Sequence, residues 1–126
     1  MGERRWRMRV DARPAQVPAV RREVVGVIAR ECPGVDLDVA ALVVTELATN
    51  VVNHAYADGH GQLEVDLLFE PDAATLTVRD WGRGFGTSTR HGMGMGLEIV
   101  ARLAQAMRVE RGVRTEVRVR LSRALA

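Results

Sequence analysis

Two segments, LEVDLLF (63–69) and ATLTVRD (74–80), alternate apolar and polar residues with only EPDA between them. Side chains point to opposite faces along a strand, so each segment reads as a half-buried strand. The short EPDA link leaves room for a turn and not for a crossover helix, which predicts an antiparallel hairpin. A second pair of alternating segments flanks Gly112 in AMRVERGVRTEVRVRL (106–121), and RWRMRV (5–10) alternates Arg with Trp6, Met8 and Val10. Between these strands the period changes. Val20, Val24, Val27 and Ile28 recur at helical spacing behind Pro18, which suits a first helical turn. CPGVD (32–36) interrupts, and Asp36 or Asp38 can cap a second helix running to about Ala55. Leu97, Val100, Ala101, Leu103 and Ala104 give a third. The predicted order is strand, helix, helix, strand, strand, helix, strand, strand. Hairpins rather than repeated βαβ units make the class α+β, with helices against one face of a sheet.

At 126 residues the chain suits one domain, 1–126, with a single core. All 18 basic residues are Arg and none is Lys. That excludes a Walker-type phosphate lysine, a Schiff base and a lysine general base. With abundant Ala, Val and Gly, the Arg bias reads as the mark of a GC-rich genome. Cys32 stands alone, so it is expected to pack as a small apolar residue rather than to form an internal disulfide or a cysteine zinc site. The formal net charge is +2, and acids interleave with Arg114, Arg118 and Arg120. That pattern favours a solvated sheet face over a nucleic-acid surface. No run approaches the roughly 18 apolar residues of a membrane span, and the basic N-terminus lacks the apolar core of a signal peptide, so a cytoplasmic protein is expected.

The second helix carries TELATNVVNHA (45–55), where Glu46, Asn50, Asn53 and His54 fall within roughly one quadrant of the helix at about 100° per residue. Leu37, Ala41, Val44, Ala48, Val51 and Val52 form the expected core side, and Val39 and Val43 continue the polar stripe upstream as apolar residues. Carboxamides one turn apart are poor helix formers, and charged residues would solvate such a face more cheaply. A carboxylate and a carboxamide four residues apart can instead point into one cleft, where their oxygens suit magnesium, an ion that keeps waters and binds through few protein groups plus phosphate.

Two glycine segments complete the pattern. VRDWGRGFG (78–86) sets Asp80, Gly82 and Gly84 directly after a strand, and HGMGMGLEIV (91–100) sets Gly92, Gly94 and Gly96 directly before a helix. An Asp at a strand end can accept from an exocyclic amine, while neighbouring glycines let a flat base approach the backbone. Glycines opening a helix present N–H groups and the positive dipole end to phosphate. A dinucleotide-binding fingerprint fits poorly, because the glycines come late and no βαβ frame follows.

In this order, ELATNVVNHA, DWGRGF and GMGMGL resemble the three nucleotide-binding boxes of the GHKL ATPase superfamily, which includes gyrase and the histidine kinases. The length and the E-L-x-x-N-x-x-x-H form most resemble the anti-sigma-factor serine kinases. The resemblance spans essentially the whole chain. It implies a Bergerat-type two-layer sandwich, with a mixed, mainly antiparallel sheet and helices on one face. It further implies ATP and Mg2+ as cofactors, Asn50 as the metal ligand and Glu46 as the base toward an acceptor hydroxyl. Asp80 would hold the adenine amine with Gly82 and Gly84 beside the base. Gly92, Gly94, Gly96 and Leu97 would form the phosphate-facing end of the lid and next helix. Thr115 resembles a late-strand threonine that supports the adenine site, although Val113 and Arg114 separate it from Gly112, where the family has Thr directly after Gly. The lid, 85–91, is short, and Arg83 and Arg90 beside it read as solvated. His54 reads as an orienting or packing residue, and Trp6 and Trp81 as packing groups.

The implied function is an ATP-dependent protein serine/threonine kinase that acts as an anti-sigma regulator. It would phosphorylate a STAS-type anti-anti-sigma protein, bind a sigma factor and form a homodimer, without nucleic-acid or membrane partners. Two alternatives stay open. One is a switch-type serine kinase that phosphorylates a scaffold and activates a phosphatase. The other is a nucleotide-gated binding module with little catalysis.

Overall fold

The computed structural model describes residues 4–56, 60–82, 100, 106–110, 112 and 114–123. Strand β1 (Arg4–Asp11) leads into α1 (Gln16–Glu31) and α2 (Leu37–Asn50), and α2 runs on as a π-helical turn (Val51–Ala55). The hairpin β2 (Gln62–Glu70) and β3 (Ala73–Asp80) follows, then β4 (Ala106–Glu110) and β5 (Thr115–Ser122). The sheet order is β1-β2-β3-β5-β4. All pairings among the described strands are antiparallel, so the expected mixed sheet is here an antiparallel one. The architecture is α+β, as the alternation and helical spacing predict. Of the third predicted helix only Val100 is described; it is helical and fully buried.

The register puts one apolar row of each strand on the helix side. Val65, Val78 and Val117 stand side by side across β2, β3 and β5, as do Leu67, Leu76 and Val119. All are buried in one cluster with Val20, Val24, Val27 and Ile28 of α1. Helix α2 starts on Asp36, whose Oδ1 accepts from the Asp38 N–H at 3.0 Å and the Val39 N–H at 3.2 Å. Between the two candidate caps, Asp36 is therefore the one used, and such a cap typically contributes about 1 kcal/mol. Cys32 is buried, and burial pushes its thiol pKa up, in keeping with a packing role.

The buried arc of α2 differs from the expected one. Ala40, Val43, Val44, Leu47, Ala48 and Val51 line the core, whereas Leu37 is 37% exposed and Ala41 and Val52 are half-buried. The expectation placed the core opposite the polar stripe. The helix instead packs against both α1 and β3, which widens its buried arc and rotates it toward Asn50. At about 100° per residue, Asn50 falls on the margin of that arc, with Glu46 and then Asn53 successively further round. Their burial follows this order: Asn50 is buried, Glu46 half-buried and Asn53 exposed.

The other sheet face is polar and ion-paired rather than merely solvated. Arg5 and Arg7 reach Asp66 at 2.7 and 3.1 Å, and Arg9 reaches Glu64 at 2.9 Å. Arg79, itself buried, meets Glu64 at 3.0 Å, Asp66 at 3.1 Å and Glu116. Burial opposes ionisation of Asp66, but hydrogen bonds from Arg5, Arg79 and Arg7 outweigh it and hold the carboxyl below its ordinary pKa. Arg114, just before β5, pairs with Glu116, and Arg120 of β5 with Glu70, while Arg118 is exposed. Trp6 packs on the core margin as expected. Trp81 does not: it is 36% exposed, and the Arg9 guanidinium lies 4.6 Å from its ring centroid.

Candidate functional site

Asp80 ends β3 on the helix side of the sheet, between Leu63 of β2 and Thr115 of β5. It is 1% exposed, and Thr115 is also buried. The Thr115 assignment rested on an imperfect glycine spacing, yet the ladder makes it the cross-strand neighbour of Asp80. Burial pushes the Asp80 pKa up to about 6, against a partly offsetting hydrogen bond from the Gly82 N–H to Oδ1 at 3.0 Å. A buried carboxylate whose only described donor is one amide is an acceptor with capacity to spare.

Gly82 is required by close approach. A Cβ placed there would fall 1.8 Å from the Ala55 carbonyl oxygen, so the turn after β3 lies directly on the last residue of the π-helical turn. Single π turns inside helices are frequent at functional sites. Here the π turn carries Asn53, which is exposed, and His54, which is half-buried. Asn53 therefore leaves the cluster that the helical wheel had suggested.

Asn50, the last α-helical residue before that turn, is 7% exposed, and its Nδ2 has no hydrogen-bond partner among the described residues. A buried donor left unpaired typically costs about 1–3 kcal/mol. Glu46, one turn earlier, is half-buried and makes no ion pair or hydrogen bond among the described residues. Among the described residues, no three or more His, Cys, Asp or Glu side chains cluster as a metal cage. A hard cation held by one carboxamide oxygen, waters and phosphate is the kind of site these residues fit. Gly84, Gly92, Gly94, Gly96 and Leu97, with the lid, Arg83 and Arg90, lie outside the described residues.

A family model described as the histidine kinase-like ATPase domain matches residues 10–121. The chain belongs to this family. No curated protein matches it at a significant level. As a histidine kinase-like ATPase domain it is an ATP-binding protein, and the matched span contains Glu46, Asn50, Asp80, Gly82 and Thr115. No helix among the described residues is long and apolar enough to cross a membrane.

Sequence reasoning missed one member of the site in this ATPase domain. Tyr56, the sole tyrosine, follows the π-helical turn and donates from its hydroxyl to the Gln62 carbonyl at 2.5 Å. The same oxygen accepts from the Trp81 N–H at 3.0 Å. The available signal was a lone aromatic between a helix end and the glycine-bearing turn YADGHGQ.

The raised pKa of Asp80 makes a signed prediction for the nucleotide-free domain. Its ordinary value is 3.8, and the folded value is about 6. The stability that comes from burying a neutral Asp80 is thus complete below 3.8 and lost as pH rises through about 6. Glu64, Asp66 and Glu116 have depressed values and act in the opposite sense, losing stability as pH falls. Comparing wild type with Asp80→Asn cancels those contributions. The variant is expected to gain in Tm relative to wild type between about pH 4 and 7. A pH-independent difference would show that Asp80 titrates normally.

Proposed function

We propose that this ATPase domain is an ATP-dependent protein serine/threonine kinase acting as an anti-sigma regulator. The observation that carries the kinase reading is the buried Asn50, whose Nδ2 has no partner among the described residues, one turn after Glu46, which is half-buried and unpaired among the described residues. In this reading the Asp80 carboxylate accepts from the adenine N6 amine, while the Gly82 N–H holds one of its oxygens. Asn50 Oδ1 would hold Mg2+, which supplies charge neutralisation for the phosphate oxygens. Glu46 takes the proton from an acceptor serine or threonine hydroxyl as that oxygen bonds to the γ-phosphorus, the γ-phosphorus–oxygen bond breaks, and ADP leaves. The resemblance of ELATNVVNHA and of the overall length to the anti-sigma kinases supports a STAS-type anti-anti-sigma protein as acceptor and a sigma factor as binding partner. The same likeness supports a cytoplasmic homodimer.

Base choice and transfer test the two halves of the reading. Guanine offers a carbonyl where adenine offers an amine, and an acceptor facing an acceptor typically costs about 1–3 kcal/mol. Calorimetry should therefore show ATP binding about tenfold or more tighter than GTP, and equal affinities would remove Asp80 from the base site. Labelled γ-phosphate should pass from ATP to a serine or threonine of a STAS-type protein. Tight ATP binding with no transfer to any such protein would leave a nucleotide-gated binding module.

A further inference from the structure

We infer that Tyr56 is a positioning residue for base selection: it holds the turn after β3 against the π-helical turn, so that Asp80 meets the base in one orientation. The inference rests on the ATP-binding reading of Asp80 and deepens it.

One phenol oxygen joins two neighbouring strands at the end where Asp80 lies. It donates to the carbonyl of Gln62, the first residue of β2, and accepts from the N–H of Trp81, the residue after β3. The ring is seated by glycines. A Cβ on Gly61 would fall 2.2 Å from two ring carbons, and one on Gly82 would fall 3.0 Å from Tyr56 Cδ1. No larger residue fits at Gly61 while the ring keeps this position. The next amide along, that of Gly82, is the donor to Asp80 Oδ1. Trp81 and Gly82 are consecutive peptide units, so anchoring the first plane restricts the second. Release of the Trp81 amide thus frees the Gly82 amide, and Asp80 loses the one hydrogen bond that fixes its carboxylate among the described residues. A site selects by hydrogen bonding only when its polar group is held where the right partner can meet it and the wrong one cannot.

Tyr56→Phe keeps the ring over Gly61 and deletes the hydroxyl. In calorimetry on the full chain, ATP affinity is expected to fall about five- to tenfold with GTP affinity little changed, so the ATP-to-GTP ratio falls by about the same factor. A general loosening of the fold would weaken both nucleotides alike and leave the ratio at its wild-type value, and that result overturns the inference. If the Phe variant does not fold, Gly61→Ala drives a methyl group against the ring with the hydroxyl still present. It is expected to lower the ratio in the same way, and an unchanged ratio again overturns the inference. A nucleotide-free readout separates this from failure of the ATP-binding reading. Among the described residues, burial raises the pKa of Asp80 and the Gly82 amide lowers it. The carbon-13 shift of its carboxyl should therefore titrate with a displaced midpoint in Tyr56→Phe. If the wild type binds neither nucleotide, the ATP-binding reading falls. Tyr56 is then judged on this titration alone, an unmoved midpoint overturning the inference.

Discussion

Glu46→Gln is expected to lower phosphate transfer to the acceptor protein by about 10²–10⁴-fold while leaving ATP affinity close to wild type. The separation follows from where Glu46 sits. It is half-buried on the flank of α2, outside the core arc of Ala40, Val43, Val44 and Leu47, and it makes no ion pair among the described residues. Replacing its carboxylate with a carboxamide of the same shape removes a proton acceptor without opening a cavity or stranding a partner. Removing a negative charge near a triphosphate relieves a repulsion, so a base that does not touch the nucleotide can be neutralised without weakening ATP. The measurement is single-turnover transfer of labelled γ-phosphate, paired with ATP calorimetry on the same preparation. Near-normal transfer by Glu46→Gln would remove Glu46 from the role of base. Loss of ATP binding in step with transfer would make it part of the nucleotide site instead.

Asn50→Ala is expected to move stability and function in opposite directions. The variant deletes a buried donor that has no partner among the described residues, which offsets the packing lost with the side chain. Thermal unfolding without nucleotide should therefore show little destabilisation. Binding should change far more. In the wild type, chelating Mg2+ is expected to weaken ATP by about tenfold or more, whereas the variant should bind ATP weakly with or without the metal. An intact Mg2+ dependence in Asn50→Ala would exclude this carboxamide as a ligand. A large drop in nucleotide-free Tm would assign Asn50 a packing role after all.

Much of this fold was legible because local periodicity and tertiary role agree. Leu67, Leu76 and Val119 are core residues by alternation and in the register alike, and Asp36 caps α2 by the rule that its position suggests. The reading failed where a residue type and its environment part company. On the helical wheel Asn50 falls opposite the expected core side, yet it lies on the core margin. Leu37 was placed inside and stands half out, because the direction of the buried arc depends on α1 and β3 and not on α2 alone. Tyr56 escaped notice for a related reason. Its partners, Gln62 and Trp81, are brought together only by strand pairing, and no spacing along the chain announces that. The π-helical turn is equally silent in sequence, since VVNHA contains nothing that a continued α-helix would refuse.

The outer sheet face gives the missing lysines a second meaning. Arg79 stands at the middle of three strands and touches a carboxylate on each side of its own: Glu64 and Asp66 through one terminal nitrogen, Glu116 through Nε. The guanidinium is a flat plate with donors along several edges, and it works like a gusset across a joint. An ammonium is a single point at the end of a tether and cannot stand at both edges of the plate at once. At this position, then, arginine is demanded by geometry whatever the genome's coding bias, and the polar side of the sheet is braced crosswise by one side chain.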